Sequence, residues 1–309
     1  MNNSGLYKVQ ERFLFHSRIR IKLPVHCDSR LIDELFHIME EVNRKYNSYS
    51  EGSTFDRINQ NAGKFTLVDG ETIEILEKVK FYSDFFNGLY DITIMPLLCL
   101  WGFYKDEVKR LPEIEEIKNT LRLVDYRKIK VDNLHVRIEK GQEIITGSFI
   151  KAYAVDKVIE RLKAENITDA VINAGGSSIS VRNNEFHPYW KINVSNPVND
   201  TLKLFTLKLN NACYSTSSQG KSFVEVGGKR YGHILNPKTG YSSGNMQVGI
   251  ITPDCFTGDI LSTALFNIPT ADFFNVINKL SQHIPVAAFL MNEHGDIIQT
   301  ENFDSYKDN

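Results

Sequence analysis

From residue 148 the chain reads Ser148-Phe149-Ile150-Lys151-Ala152-Tyr153-Ala154-Val155-Asp156, and the spacing of Val155, Val158, Ile159 and Leu162 predicts a helix over Ser148–Ala164. Strand-like segments follow it: Ala170–Asn173, Trp190–Val194, Leu202–Leu209 and Gln247–Thr252 are rich in β-branched and aromatic residues. A second helix, Thr252–Asn267, interrupts the run. Turn residues at Gly227-Gly228 and Glu293-His294-Gly295 predict two hairpins. Upstream the pattern is helical. Asp28 and Ser29 cap a segment carrying Leu31, Leu35, Met39, Val42 and Tyr46. Glu71–Asn87 turns Leu76, Val79 and Phe86 inward and stops at Gly88, and a third helix after Pro112 carries Ile114, Ile117 and Leu121. Helices and strands mix without a regular βαβ repeat. The expected class is therefore α+β with a largely antiparallel sheet, not a doubly wound parallel sheet.

The 309 residues allow one large domain or two at about 150 residues each. No Pro/Gly/Ser-rich linker or repeat divides them, so one compact unit with two lobes is expected over 1–309. The polar end, Asp304–Asn309, is expected to fray. Lys and Arg (36) nearly balance Asp and Glu (38), which argues against a broad basic surface for nucleic acid. The longest apolar stretch, Ile92–Phe103, is too short to span a bilayer and contains Pro96. Met1-Asn2-Asn3-Ser4-Gly5 has neither a basic n-region nor an apolar h-region, so a cytosolic protein is expected. Cys27, Cys99, Cys213 and Cys255 show no metal-ligand spacing and read as inert thiols.

Four segments carry chemistry. Ser148 reads as an N-cap with Lys151 in the first turn. A lysine there opposes the helix dipole and gains if an anion such as phosphate sits at the helix start; the alternative is a lysine snorkelling to solvent. Asn173-Ala174-Gly175-Gly176-Ser177-Ser178 follows an apolar strand and serves either as a plain turn or as a close backbone approach to phosphate, but it carries no dinucleotide fingerprint. In Tyr231-Gly232-His233-Ile234-Leu235-Asn236-Pro237-Lys238-Thr239-Gly240, His233 precedes a turn and is either structural or an acid/base group. On the last helix Phe256, Ile260, Leu261, Ala264, Leu265 and Ile268 form the apolar stripe. Asp259 and Thr263 share one flank of it, suited either to a hard cation such as Mg²⁺ or to a mutual hydrogen bond.

In order along the chain these segments resemble the FAD:protein FMN transferases, the ApbE-type flavin transferases. The resemblance runs from about Arg18 to Asn302. Its landmarks are Tyr90-Asp91-Ile92-Thr93-Ile94-Met95-Pro96-Leu97, Leu100-Trp101-Gly102-Phe103, Lys151 with Tyr153-Ala154-Val155-Asp156, Asn173-Ala174-Gly175-Gly176, Ser215-Thr216-Ser217, His233 to Gly240, and Asp259 with Ser262-Thr263-Ala264-Leu265. The resemblance implies an ApbE-like fold and an enzyme that splits FAD. FMN passes to a Ser or Thr hydroxyl of an acceptor protein, and AMP leaves. It implies FAD contacts from Asp91, Lys151 and His233, with His233 taking the acceptor's proton. It also implies Mg²⁺ on the side chains of Asp259 and Thr263 and on backbone oxygens of Ser148 and Ser262.

Some positions depart from the family pattern. Ile145 and Ser177 stand where carboxylates are usual, Gln219 stands in the Thr-Ser-Gly-Asp segment, and Asn236 replaces an Asp. His16-Ser17-Arg18 has no clean match to the usual Met-Gly-Thr. Two other readings stay open at this point: hydrolysis of FAD to FMN and AMP, and a non-catalytic FAD-binding paralogue. The retained Asp259, Thr263, Lys151 and His233 favour catalysis, whereas Ile145 and Gln219 favour binding alone.

Overall fold

The computed structural model describes residues 6–104, 109–199, 201–219 and 222–308. Its main sheet has eight strands that lie side by side in chain order. They are β1 (Tyr7–Leu14), β2 (Ser17–Pro24), β3 (Ala170–Ala174), β4 (Ser178–Arg182), β5 (Cys213–Ser218), β6 (Gln247–Thr252), β7 (Ala287–Met291) and β8 (Ile297–Gln299). Every neighbouring pair is antiparallel. The sheet is thus a meander into which helices are inserted, and the α+β expectation holds.

Alternation along the strands sends side chains to two cores. On one face Ile19, Ile21, Ile172, Val248, Ile250, Ala288 and Leu290 meet the helices α1 (Ser29–Tyr46), α2 (Gly70–Phe85), α3 (Ile150–Ala164) and α4 (Cys255–Phe266). On the other, Ile179, Val181, Tyr214, Ile251 and Phe289 pack under a ribbon of Trp190–Ser195 and Lys203–Leu209. The sheet is covered on both sides.

The helices form for local reasons legible in the chain. The Asp28 carboxylate accepts the Arg30 N–H at the start of α1, and the five residues predicted to turn inward are buried. α2 ends at Phe85, where Asn87 and Gly88 adopt positive φ and turn the chain. In Ile114–Leu121, Ile117 is buried while Ile114 faces out. α4 is apolar nearly all round, and every residue from Cys255 to Phe266 except Thr263 is buried. That is the pattern of a helix enclosed by sheet and neighbouring helices. No described helix is long and apolar enough to cross a membrane.

Two expectations are corrected. Ser148 is not the cap of α3: the helix begins after Phe149, and the first amides, of Phe149 and Ile150, bond the Thr146 carbonyl, leaving the Ser148 hydroxyl 3.0 Å from Tyr90 Oη. The end of the chain does not fray across 304–308. Phe303 is fully buried, Lys307 bridges Leu207, the Asp308 amide donates to the Thr206 carbonyl at 2.8 Å, and the Asp308 carboxylate pairs with Lys191 and Lys208. One buried aromatic and these backbone bonds outweigh the entropy that a polar tail would keep. Asn309 lies outside the described residues.

Candidate functional site

A cleft of about 880 Å³ opens at one end of the sheet. Asp91, Ser148, Lys151, His233, Asp259, Ser262 and Thr263, separated by up to 172 positions, all line it. Also on its wall are the Gly175-Gly176 turn between β3 and β4, the 195–199 loop, and Phe15-His16 from the β1–β2 turn.

The floor is built where α4 crosses β4 and β5. Ser178 and Ser215 are paired across the two strands, and both donate to Asp259, at 2.8 and 2.7 Å. Ser217, two residues on and on the same face, lies 2.9 Å from the Ser262 hydroxyl and 3.5 Å from that of Thr263. Ser262 and Thr263 hydroxyls also reach back to the Asp259 carbonyl, at 3.1 and 2.9 Å. This close approach requires Gly258: a Cβ there would stand 2.6 Å from Ser215 Oγ and 2.8 Å from Thr252 Oγ1. Gly258→Ala is expected to push α4 off the sheet and cost about 1–3 kcal/mol. Urea unfolding checks this, and an unchanged midpoint would contradict it.

Burial pushes the Asp259 carboxyl up to about 6, against the opposing pull of Lys151 and the two serines. The side chains that hydrogen-bond to it are hydroxyls. A buried carboxylate with hydroxyl oxygens about it has the donor chemistry a hard cation requires. Among the described residues, the grouping of three His, Cys or carboxylate side chains close enough to share an ion is elsewhere, at Asp156, Cys213 and Cys255. There both Asp156 oxygens already accept the Cys255 and Phe256 amides at the start of α4.

Lys151 sits in the first turn of α3 and donates to Ser177 Oγ at 2.6 Å. It lies beside Gly175, where φ is +68° and a Cβ would stand 2.9 Å from Ser17 Oγ, so no other residue fits there without movement. His233 enters from the far wall. Its amide donates to the Ser222 carbonyl at 3.1 Å, its ring meets the edge of Phe103, and its Nδ1 is buried with no partner among the described residues. Desolvation lowers its pKa and so favours the neutral ring.

Asp91, which lines the cleft, also holds its own loop. Its Oδ1 accepts the Thr93 amide and hydroxyl at 2.8 and 2.7 Å, and Oδ2 accepts the Tyr126 amide at 2.8 Å. It therefore braces the loop that forms the near wall. Asn267, which the sequence reading passed over, joins the two walls by donating to the carbonyls of Leu89 and Leu235, both at 3.2 Å. Its position just past the C-terminus of α4 was the available signal.

The departures from the family pattern also find places. Asn236 Oδ1 accepts the Lys238 amide at 2.8 Å, a turn bond that an amide oxygen makes as well as a carboxylate. Gln219 donates to the Ser243 carbonyl at 2.6 Å, and Ile145 is buried beside Met95, Leu97 and Leu98.

The sequence profile of the ApbE family matches residues 15–288 of this chain. The chain belongs to the ApbE family. Among ApbE relatives, the FAD:protein FMN transferase of Haemophilus influenzae is 24% identical over 282 residues, spanning 87% of this chain and 81% of the relative. That of Klebsiella pneumoniae is 28% identical over 270 residues, spanning 82% and 80%. The crystal structure of the ApbE protein from Thermotoga maritima superposes with a TM-score of 0.88 at 27% identity, covering 98% of this chain and all of that one. The flavin transferase ApbE from Vibrio cholerae gives 0.82 at 21% identity, covering 97% and 99%, and bears on the ApbE fold alone.

Proposed function

We propose that this chain is an FAD:protein FMN transferase that moves the FMN half of FAD onto a Ser or Thr hydroxyl of an acceptor protein and releases AMP. The observation that carries the reading is the convergence, in one cleft, of a lysine beside a Gly-Gly turn, a histidine whose Nδ1 is buried with no partner among the described residues, and a buried carboxylate among hydroxyls. The relatives' names supply the reaction; this chain's residues supply a way to perform it.

Lys151 gives the positive pole for the pyrophosphate, and the Gly175-Gly176 backbone leaves room for phosphate oxygens to approach. His233 accepts the proton of the acceptor hydroxyl as its oxygen bonds to the FMN phosphorus. The bond from that phosphorus to the bridging oxygen breaks, and AMP carries the electron pair away. Asp259 and Thr263 side chains, with backbone oxygens of Ser148 and Ser262, would hold Mg²⁺. When bound, the ion neutralises and polarises the pyrophosphate.

The test is to incubate the protein with FAD, Mg²⁺ and a lysate of its own cell, then read a fluorescent protein band and AMP together. A labelled band with matching AMP supports transfer. AMP without a band would make the chain a pyrophosphatase, and FAD binding without AMP a holding protein.

A further inference from the structure

Strand β5 outruns its neighbour. Ser215 is the last residue paired with β4, through Ser178, and the Thr216 amide makes one more bond, to the Ser177 carbonyl at 2.9 Å. On that side β4 begins only at Ser178, where the chain leaves the Gly175-Gly176 turn. β5 continues to Ser218, held on its other side by β6, where Thr216, Ser217 and Ser218 pair with Gly249, Val248 and Gln247. Among the described residues no strand lies against Ser217–Ser218 on the β4 side, and both residues line the cleft. An open stretch of strand edge presents N–H and C=O groups to whatever enters beside it.

The two faces of this edge differ in chemistry. Ser217 points to α4, where Asp259 and Lys151 supply charge. Tyr214 and Thr216 alternate to the opposite face, where Gln247 joins them and the 195–199 loop forms the facing wall. The described lining residues on that side, 194–199 with Tyr214, Thr216, Ser218 and Gln247, carry no charge. Two polar atoms there are buried with no hydrogen-bond partner among the described residues: Tyr214 Oη and Gln247 Oε1, in side chains 1% and 4% exposed. Thr216 stands near both, but its hydroxyl is committed, donating to the Val248 carbonyl at 2.7 Å and accepting from Gln247 Nε2 at 3.2 Å. Tyr214 is otherwise a core ring, packed with Ile251 and Phe289 across Gly249, where a Cβ would stand 2.8 Å from its Oη. Phenylalanine would fill that space without stranding a hydroxyl, so the hydroxyl calls for a partner from outside the chain.

We propose that the open edge of β5 docks the acceptor as an extended segment of polypeptide, which pairs with Ser217–Ser218 and gives polar partners to Tyr214 Oη and Gln247 Oε1. Neutral donors and acceptors beside a strand edge match a peptide backbone, whereas the phosphates of a dinucleotide belong with Lys151 on the other face. This rests on the transferase reading above and adds how its protein substrate is held. The lysate experiment supplies the probe. The flavin-bearing segment of the labelled protein is located by mass spectrometry and made as an unlabelled peptide of about ten residues, the upper length of an ordinary strand.

Tyr214→Phe and Gln247→Leu are each expected to raise the KM for this peptide about tenfold, as one lost hydrogen bond does, with kcat and the Kd for FAD within about twofold of wild type. Both should melt within about 2 °C of wild type, since the Thr216 hydroxyl keeps its bond to Val248. A scan of singly N-methylated peptides on the wild type needs no variant. Loss of transfer at alternate positions is the mark of strand pairing and supports the proposal, and loss at none overturns it. If the variants weaken FAD or ADP binding and leave the peptide's KM unchanged, these atoms hold the nucleotide and the proposal falls. A labelled protein whose peptide accepts no flavin is recognised by its folded surface; the proposal then falls while the transferase reading stands. A lysate with no labelled band removes both.

Discussion

His233→Ala is expected to transfer FMN about 10² to 10⁴ times more slowly than the wild type, with FAD affinity changed only a few-fold. The structural reason is that the imidazole has its backbone fixed by Ser222 and its Nδ1 buried with no partner among the described residues. Removing it strands no donor or acceptor among the described residues, so the variant should fold and melt close to wild type. The pH dependence carries the same signature. A proton acceptor works in its neutral form, and desolvation lowers the pKa of this one. The acid limb of the transfer rate should therefore lie below the ordinary imidazole value, and activity should persist into mildly acidic buffer. Single-turnover transfer followed by flavin fluorescence across pH 5–8 measures both points. A variant that transfers at the wild-type rate would make His233 structural.

The second large effect is expected at Asp259. Its folded-state pKa of about 6 lies above that of an unfolded aspartate, so the fold disfavours the charged form. The associated stability is fully present below about pH 4 and is lost as pH rises through about 6, a loss of about 3 kcal/mol by neutral pH. Asp259→Asn removes that charge. In EDTA at pH 7 the variant should melt at or above the wild type, even though it is a substitution at a buried position of α4. With FAD and Mg²⁺ the order should reverse. The wild type gains about 2.7 kcal/mol at a hundredfold excess over Kd, the variant loses most of that gain, and its AMP release falls to background. If EDTA leaves wild-type AMP release unchanged, Asp259 holds no ion, and its bonds to Ser178 and Ser215 are its whole role.

The parts of this molecule that declare themselves in the sequence are those with period and punctuation. α1 and α4 carry unbroken apolar stripes, and the Asn87-Gly88 stop of α2 is the residue chemistry that a helix end needs. The placement of Asp259 and Thr263 at the edge of the α4 stripe was legible for the same reason. The β1–β2 hairpin was not. Its strands mix Arg, Lys and Glu with exposed Val9 and Phe13, and its turn is Phe-His where Asn-Gly would have marked it.

β5 was hidden differently. Cys213-Tyr214-Ser215-Thr216-Ser217-Ser218 has a loop's composition, yet it is a strand because Ser215 and Ser217 face hydroxyl and carboxylate partners on α4. Only the three-dimensional pairing shows why serines belong there. Ser148 misled through a similar gap: a good capping residue in the right place was passed over because the Thr146 carbonyl already takes the first amides.

The order of strands in the main sheet also has a kinetic side. β3 to β8 succeed one another within 130 residues, 170–299, whereas β2 must find β3 across the 145 residues from 25 to 169. Loop closure makes that encounter the costliest pairing in the sheet, and pairings of such separation slow folding. The β1–β2 hairpin is consequently the last element expected to dock, and it brings Phe15, His16 and Ser17 with it. Until it arrives, the Gly175 turn lacks its neighbour and one wall of the cleft is absent. An incompletely folded chain would thus present Asp259 and Lys151 without a pocket, unable to retain a dinucleotide, and a dinucleotide that binds only the finished cleft would draw the hairpin home.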